Sequence, residues 1–226
     1  MGTLFQGHVF TETALRNQDP ARKVASQMRR KHCEITDPQD IQRILSSTTI
    51  GRLATNGADG YPYITPVNFV YHEGNIYFHC ASKGEKLDNL QRDPKVCFEI
   101  DIPLAYIDAG FDLHKRICHL HQYYHSVIIR GKASVVPEGP LKVTALNALV
   151  TKHERGTGHE LVNEEMPGYS SCEVIEIGPV SMSAKSDLGQ KKSPDERLAI
   201  AKYLKNRNWP GDLEAGKAMG FDPVDL

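Results

Sequence analysis

The tightest constraint on the fold lies between residues 50 and 80. Three β-rich stretches, IGRLAT (50–55), YPYITPVNFVYH (61–72) and NIYFHC (75–80), are separated only by NGADG and by a turn at EGN whose asparagine opens the third. Parallel strands need crossovers of a dozen residues or more, so connections this short allow antiparallel pairing alone. The spacing therefore predicts an antiparallel meander over 50–80. Pro62 and Pro66 cannot donate to a ladder, which makes 61–72 an edge strand or a bulged one.

Further strands are expected at KVCFEID (95–101), YYHSVIIRGKASVV (123–136), with a bulge or bend at Gly131, and SCEVIEIGPVSMSA (171–184). Helical spacing appears at TDPQDIQRILSS. There Thr36 and Gln39 suggest a capping box, and Ile41, Ile44 and Leu45 an apolar face. A short helix over about 84–92 would be anchored by Leu87 and Leu90. Another, LKVTALNALVTKH (141–153), would bury Leu141, Ala145, Ala148 and Leu149. A last helix opens on Ser193 as cap with Pro194 in its first turn, followed by a tail expected to be irregular. Six strands and few helices make a barrel the expected architecture: mainly β (α+β), an antiparallel six-stranded split β-barrel with flanking helices. The expected division is an N-terminal arm 1–35, a barrel domain 36–184 and a C-terminal helical extension 185–226. Arg29, Arg30 and Lys31 read as part of a solvated arm.

Composition excludes several classes. A net charge of −1 over 226 residues gives no basic field for nucleic acid or anionic membrane. No apolar run reaches the roughly 20 residues of a membrane span, and no secretory leader is evident, so a cytoplasmic protein is expected. The five cysteines are odd in number and widely spaced, without C-x-x-C, which favours reduced thiols over a disulfide framework or zinc knuckle. Neither G-x-G-x-x-G nor G-x-x-x-x-G-K-[ST] occurs, so Rossmann and P-loop readings have no motif.

The chemistry-bearing stretch is ASKGEK, where the third strand gives way to the short helix. A helix start carries unpaired N–H groups and a partial positive charge. Ser82 adds a hydroxyl, Lys83 and Lys86 add ammonium groups, and Gly84 lets the backbone come close. The stretch suits an anion, although on pattern alone a solvated helix cap with ordinary surface lysines is the better reading. His79 shares a strand face with Asn75 and Tyr77 at the end leading to this turn, either near a ligand or as a half-exposed strand residue. Asn68 and Thr55 are polar groups among apolar neighbours that serve either the fold or a heterocycle. The segment HKRICHLHQYYH, with His114, Cys118, His119, His121 and His125, offers haem or metal ligands by residue type, but in no standard zinc spacing.

Taken in order, IGRLAT, GYPYITPVNFVY, NIYFHCASKGEKLDNLQRDPKVCFEID and YYHSVIIRGKA resemble the pyridoxamine 5′-phosphate oxidase-like superfamily, and within it the nitroimidazole-resistance (Nim-type) flavoproteins. The likeness runs from about Met28 to about Met182. It implies an FMN-binding split barrel acting as a homodimer, with flavin at the subunit interface. It implies that Arg52, Leu53, Ala54 and Thr55 lie along the flavin and that Val67 and Asn68 approach its ring. His79, Cys80 and Ala81 would lead into the phosphate site of Ser82, Lys83 and Lys86, and Ser126 would open a strand lining the cleft. His79 is the candidate catalytic residue, and no resident metal is expected. The substrate signature of pyridoxamine phosphate oxidation, with its arginine-rich C-terminal end, is not evident. The activity implied is that of an FMN-dependent oxidoreductase. It would pass electrons from a reduced nicotinamide or flavin donor to a small aromatic or nitro-type acceptor, with Arg52 stabilising reduced flavin if it reaches the ring edge. A non-catalytic flavin-binding or sensing protein and a haem-binding split barrel are the alternatives.

Overall fold

A computed structural model describes residues 28–111, 120–154, 156 and 158–226. The fold is α+β, built on one curled antiparallel sheet of eight strands, in place of the six expected. In chain order these are β1 (Glu34–Ile35), β2 (Ile50–Asn56), β3 (Pro62–Asn68), β4 (Val70–His72), β5 (Asn75–Ala81), β6 (Lys95–Ile107), β7 (His121–Val136) and β8 (Cys172–Asp187). The helices are α1 (Pro38–Ser47), α2 (Glu85–Arg92), α3 (Pro140–His153), α4 (Pro194–Arg207) and α5 (Asp212–Ala218). The extra strands are β1, which pairs with β8, and β4, which is split from β3 at Phe69.

That split corrects the meander. The strand order is β3-β2-β6-β7-β8-β5-β4, so β3 and β4 stand at opposite ends of the sheet although one residue separates them in the chain. Only a strongly curled sheet brings its two ends that close. Phe69 is the corner: it is fully buried and meets Phe98 edge-to-face at 5.0 Å between ring centroids. Both β3 and β4 are edge strands, which is where the prolines of 61–72 can be tolerated.

Alternation fixes what faces inward. Gly51, Leu53 and Thr55 of β2, Val96, Phe98 and Ile100 of β6, and Val127, Ile129 and Ala133 of β7 are buried, while their neighbours Arg52, Glu99 and Ile128 lie on the outer face. Full burial of each large apolar side chain contributes about 1.5–3 kcal/mol. Gly51 has no room for a Cβ, because the Phe98 ring would lie 2.0 Å from it. The register shift expected near Gly131 is present, with Val180 of β8 as the extra residue.

The helices close the ends. Leu87 and Leu90 of α2 join the main core. In α1 the cap is Asp37, whose carboxylate accepts from Gln39 N at 2.9 Å, and not Thr36. Pro38 lacks an N–H and occupies the first helical position, so the cap is the residue just before it. On α3 the buried face is Lys142, Ala145, Leu146 and Leu149, with Leu141 exposed. Ser193 caps α4 in a capping box with Glu196. The tail expected to be irregular instead contains α5. It packs with α4 on Ala105, Ile107 and Tyr123, at the far ends of β6 and β7. Arg30 is not simply solvated: it pairs with Asp187 at 3.0 Å. The first 27 residues of the expected arm lie outside the described residues. The described cysteines, Cys33, Cys80, Cys97 and Cys172, are free thiols. No described helix is long and apolar enough to cross a membrane.

Candidate functional site

The end of β5 is where local structure and chemistry meet. On the far side of β5 from the main core, α3 and the 162–169 segment enclose a cleft of about 400 Å³. Asn68 and His79 line it, together with Leu146, Leu149, His153 and Tyr169. Its walls are fixed by specific bonds. Asn147 clamps Val162 in both directions, donating to its carbonyl at 2.9 Å and accepting from its N–H at 2.7 Å. The Tyr169 hydroxyl accepts from Gly139 N at 2.8 Å, and the buried Lys142 ammonium lies 4.5 Å from the centre of the Tyr169 ring. His153 Nε2 is 3.2 Å from the Phe69 carbonyl, tying α3 to the corner where β3 becomes β4.

Beyond His79 the strand runs out through Ala81 into Ser82, Lys83 and Gly84. Gly84 precedes α2 with φ +130°, a conformation that favours glycine, and no side chain caps the helix. Ser82 and Lys83 are exposed. Lys86 is half-buried, with its ammonium 5.9 Å from the centre of the Phe78 ring. Burial pushes the Cys80 thiol up, opposed by the charge of Lys86 beside it. An uncapped helix start with two lysines and a hydroxyl suits a phosphate. The first turn also carries Glu85 and Asp88, which already satisfy part of the helix dipole.

The other residues singled out from sequence fall elsewhere. Leu53 and Val67 point into the barrel core. Thr55 is buried and accepts from Asn89 Nδ2 at 3.0 Å. Arg52 is on the outer face, bonded to Glu99 at 3.1 Å and to Asp101, so its charge is matched within the single chain. Its guanidinium is held above its usual range, first by Asp101. Ala54 and Thr55 line a second hollow of about 560 Å³, with Cys97, Arg130, Lys95 and Lys132 around it. Ser126 stands on the outer face in register with Asp101 and Lys185.

The single chain thus joins Asn68 and His79 in one cleft, with Ser82, Lys83 and Lys86 at the end of the same strand. It leaves Arg52, Ala54 and Ser126 on another face. That Leu146, Leu149, His153, Val162 and Tyr169 line the cleft was not foreseen. For the three on α3 the sequence signal was the helical spacing of 141–153, which does not say which strand the helix covers; Val162 and Tyr169 lie outside that segment.

In the histidine-rich segment, His121 Nε2 is 3.2 Å from Asp187, and His125 Nδ1 is 2.8 Å from the Ser186 hydroxyl. His114, Cys118 and His119 lie outside the described residues. Among the described residues no three His, Cys, Asp or Glu side chains converge as a metal site.

Residues 37–186 match the family model described as pyridoxamine 5′-phosphate oxidase. No curated protein matches the sequence. Among solved structures, a putative 5-nitroimidazole antibiotic resistance protein from Bacteroides thetaiotaomicron is similar at 22% identity and a TM-score of 0.57. The match covers 68% of this chain and 86% of that one. The flavocytochrome Anf3 from Azotobacter vinelandii matches at 18% identity over 74% of this chain and 75% of its own, with a TM-score of 0.58. A FAD and heme binding protein from Mycobacterium smegmatis matches at 15% identity over 74% and 78%, with a TM-score of 0.59. At these identities the likeness is one of fold.

Proposed function

The chain belongs to the pyridoxamine 5′-phosphate oxidase family, and from that premise we propose that it is an FMN-binding reductase of small aromatic or nitro-type acceptors. One observation carries the reading. The uncapped start of α2, with Ser82, Lys83 and Lys86, lies at the end of the strand whose His79 lines a largely apolar cleft. That arrangement suits a ligand with a flat heterocycle and a terminal phosphate. When bound, FMN supplies two-electron redox chemistry, taking a hydride equivalent from a reduced nicotinamide and returning electrons to an acceptor.

The protein's own part is to bind, orient and exclude water. Lys83, Lys86 and the free N–H groups of α2 hold the phosphate. Asn68 offers an amide donor and acceptor to the polar edge of the ring. Leu146, Leu149 and Tyr169 keep the cleft dry. His79, the imidazole on the β5 wall, supplies the proton that an acceptor takes up as it is reduced. In the single chain Arg52 is matched by Glu99 and Asp101 and helps to order the outer face.

A homodimer is part of the same proposal. The outer face of the sheet exposes Ile64, Ile128 and Val180 around the Arg52 ion-pair cluster, a surface that suits a second copy. Pairing there would also bring Ala54 and Ser126 under a partner, which would account for a candidate site divided between faces in one chain.

The test is the visible spectrum of the purified protein, followed by heat release and chromatography of any chromophore. The reading predicts flavin bands, FMN on release, and nicotinamide-driven reduction of a nitroaromatic faster than oxygen alone reoxidises the protein. Bound FMN without such turnover would leave a flavin-binding protein and remove the reductase. A colourless protein that does not take up added FMN would remove both.

A further inference from the structure

A third cavity, of about 520 Å³, lies at the end of the barrel between α1 and α5. Its floor is one row across three paired strands: Ile102 of β6, His125 of β7 and Ser186 of β8, in register with one another. Ile35 of β1 extends the floor along β8, opposite Ala184. Asp40, Arg43, Ile44 and Ser47 of α1 form one wall, and Lys217 and Ala218 of α5 the other. Lys217 and Ala218 lie beyond residue 186, where the family match ends. This wall is therefore a property of the chain's own C-terminal helices.

Chemically the cavity is divided. Ile35, Ile44, Ile102 and Ala218 give it an apolar part. The polar part starts at Ser186, which is only 9% exposed and lies 2.8 Å from His125 Nδ1. If the serine hydroxyl donates to Nδ1, the imidazole proton sits on Nε2, which has no protein partner among the described residues. Burial pushes the His125 imidazolium down, so the neutral ring with one N–H donor is the form at neutral pH. Arg43 is paired with Asp40 through one Nη only and keeps its other donors.

We propose that this cavity binds a small organic monocarboxylate with an apolar body. The body lies on the isoleucine floor, and the carboxylate accepts from His125 Nε2, Arg43 and Lys217. Charge selects the valence. Arg43 and Lys217 are two cations and Asp40 one anion, so one negative charge brings the lining to neutrality and a dianion overshoots it. The apolar floor selects against a bare inorganic anion, which would give up part of its own hydration there and leave the isoleucines uncovered. The site is separate from the β5 cleft and does not depend on flavin being bound there.

The experiment is calorimetric titration of the full chain with benzoate, benzyl alcohol and inorganic phosphate, alongside NMR of the histidine rings. Benzoate is expected to bind one-to-one and shift the His125 ring resonances. Benzyl alcohol, of the same shape without the charge, and phosphate, with charge but no body, are both expected to bind more weakly. Arg43 and Lys217 are exposed and carry no part of the core, so Arg43→Gln and Lys217→Met keep the fold. Each should weaken benzoate roughly tenfold, the scale of one charge-assisted hydrogen bond. Absence of benzoate binding at millimolar concentration would overturn the proposal. So would binding that both substitutions leave unchanged, or that leaves His125 unmoved, since the ligand would then sit elsewhere.

Discussion

Asn89 Nδ2 donates to Thr55 Oγ1 across 3.0 Å, joining α2 to β2 through two side chains that are 1% and 2% exposed. The other end of the same amide accepts from Arg92 Nη2 at 2.9 Å. The short helix that begins after the Ser82–Gly84 turn is thus fastened by a buried polar contact as well as by Leu87 and Leu90. Replacing Asn89 by Leu leaves the Thr55 hydroxyl and the Arg92 guanidinium short of a partner. The expected loss is about 1–3 kcal/mol of stability, measured by urea unfolding, together with weaker FMN binding in a fluorescence titration. An Asn89→Leu protein as stable and as tight as the parent would show that the bond fixes nothing.

Thr55 also illustrates what was legible in the sequence. A period of two along IGRLAT separates Arg52 and Ala54 from Leu53 and Thr55, and both β3 prolines marked an edge. The period does not say which set faces the core; that depends on Phe98, more than 40 residues away, filling the space above Gly51. Local signals read well: Ser193 and Pro194 open α4, and Leu87 and Leu90 bury α2. Non-local ones did not. The cleft beside His79 forms because the chain changes sheet edge at Phe69 and α3 returns to cover it. Nothing within either segment encodes that meeting. The tail hid α5 because a seven-residue helix with a glycine inside carries little propensity of its own.

The Ser82–Gly84 turn, proposed to hold phosphate, supplies a second test. Lys83 is exposed and Lys86 half-buried beside Phe78, and neither is needed to fold the barrel. Lys83→Met and Lys86→Met should each weaken FMN binding about tenfold, with the double variant weaker still. Riboflavin, which lacks the phosphate, should bind all the proteins equally. Equal losses for riboflavin and FMN would move the lysines away from the phosphate.

His125 makes stability depend on pH. Burial lowers its folded-state pKa below the unfolded value of about 6.5. Between the two values the unfolded chain binds more protons, so this contribution is fully present above pH ~6.5 and is lost as pH falls below it. Asp187 acts in the same direction at lower pH. Its burial pushes the carboxyl up, but hydrogen bonds from His121 and Lys185 outweigh that and hold it below the usual range. Its stabilisation is therefore lost as the medium becomes more acid than an ordinary aspartate titrates. Melting temperatures across pH 5–8 should fall toward pH 5 in the parent and change less in His125→Gln. Parallel curves would assign the acid sensitivity to other groups.

The last prediction concerns how the C-terminal helices are held. Arg207 grips Asp212 with two bonds, Nε to Oδ2 at 3.0 Å and Nη2 to Oδ1 at 2.6 Å, and donates to Asp108 at 2.7 Å. Asp212 is fully buried and also accepts from Trp209 N at 2.8 Å. Tyr203 donates to Asp108 at 2.6 Å, so the cluster ties α4 and α5 to the end of β6. Asp212→Ala removes the bidentate partner of a buried guanidinium, and breaking such a pair costs about 3–5 kcal/mol. The apolar contacts of α4 and α5 form a cluster separate from the barrel core, so the loss should be local. Limited proteolysis of Asp212→Ala should cut after Arg207 and leave the barrel intact, and benzoate binding should fall because α5 supplies the Lys217 wall. Loss of barrel and extension in a single transition would instead make the two one cooperative unit.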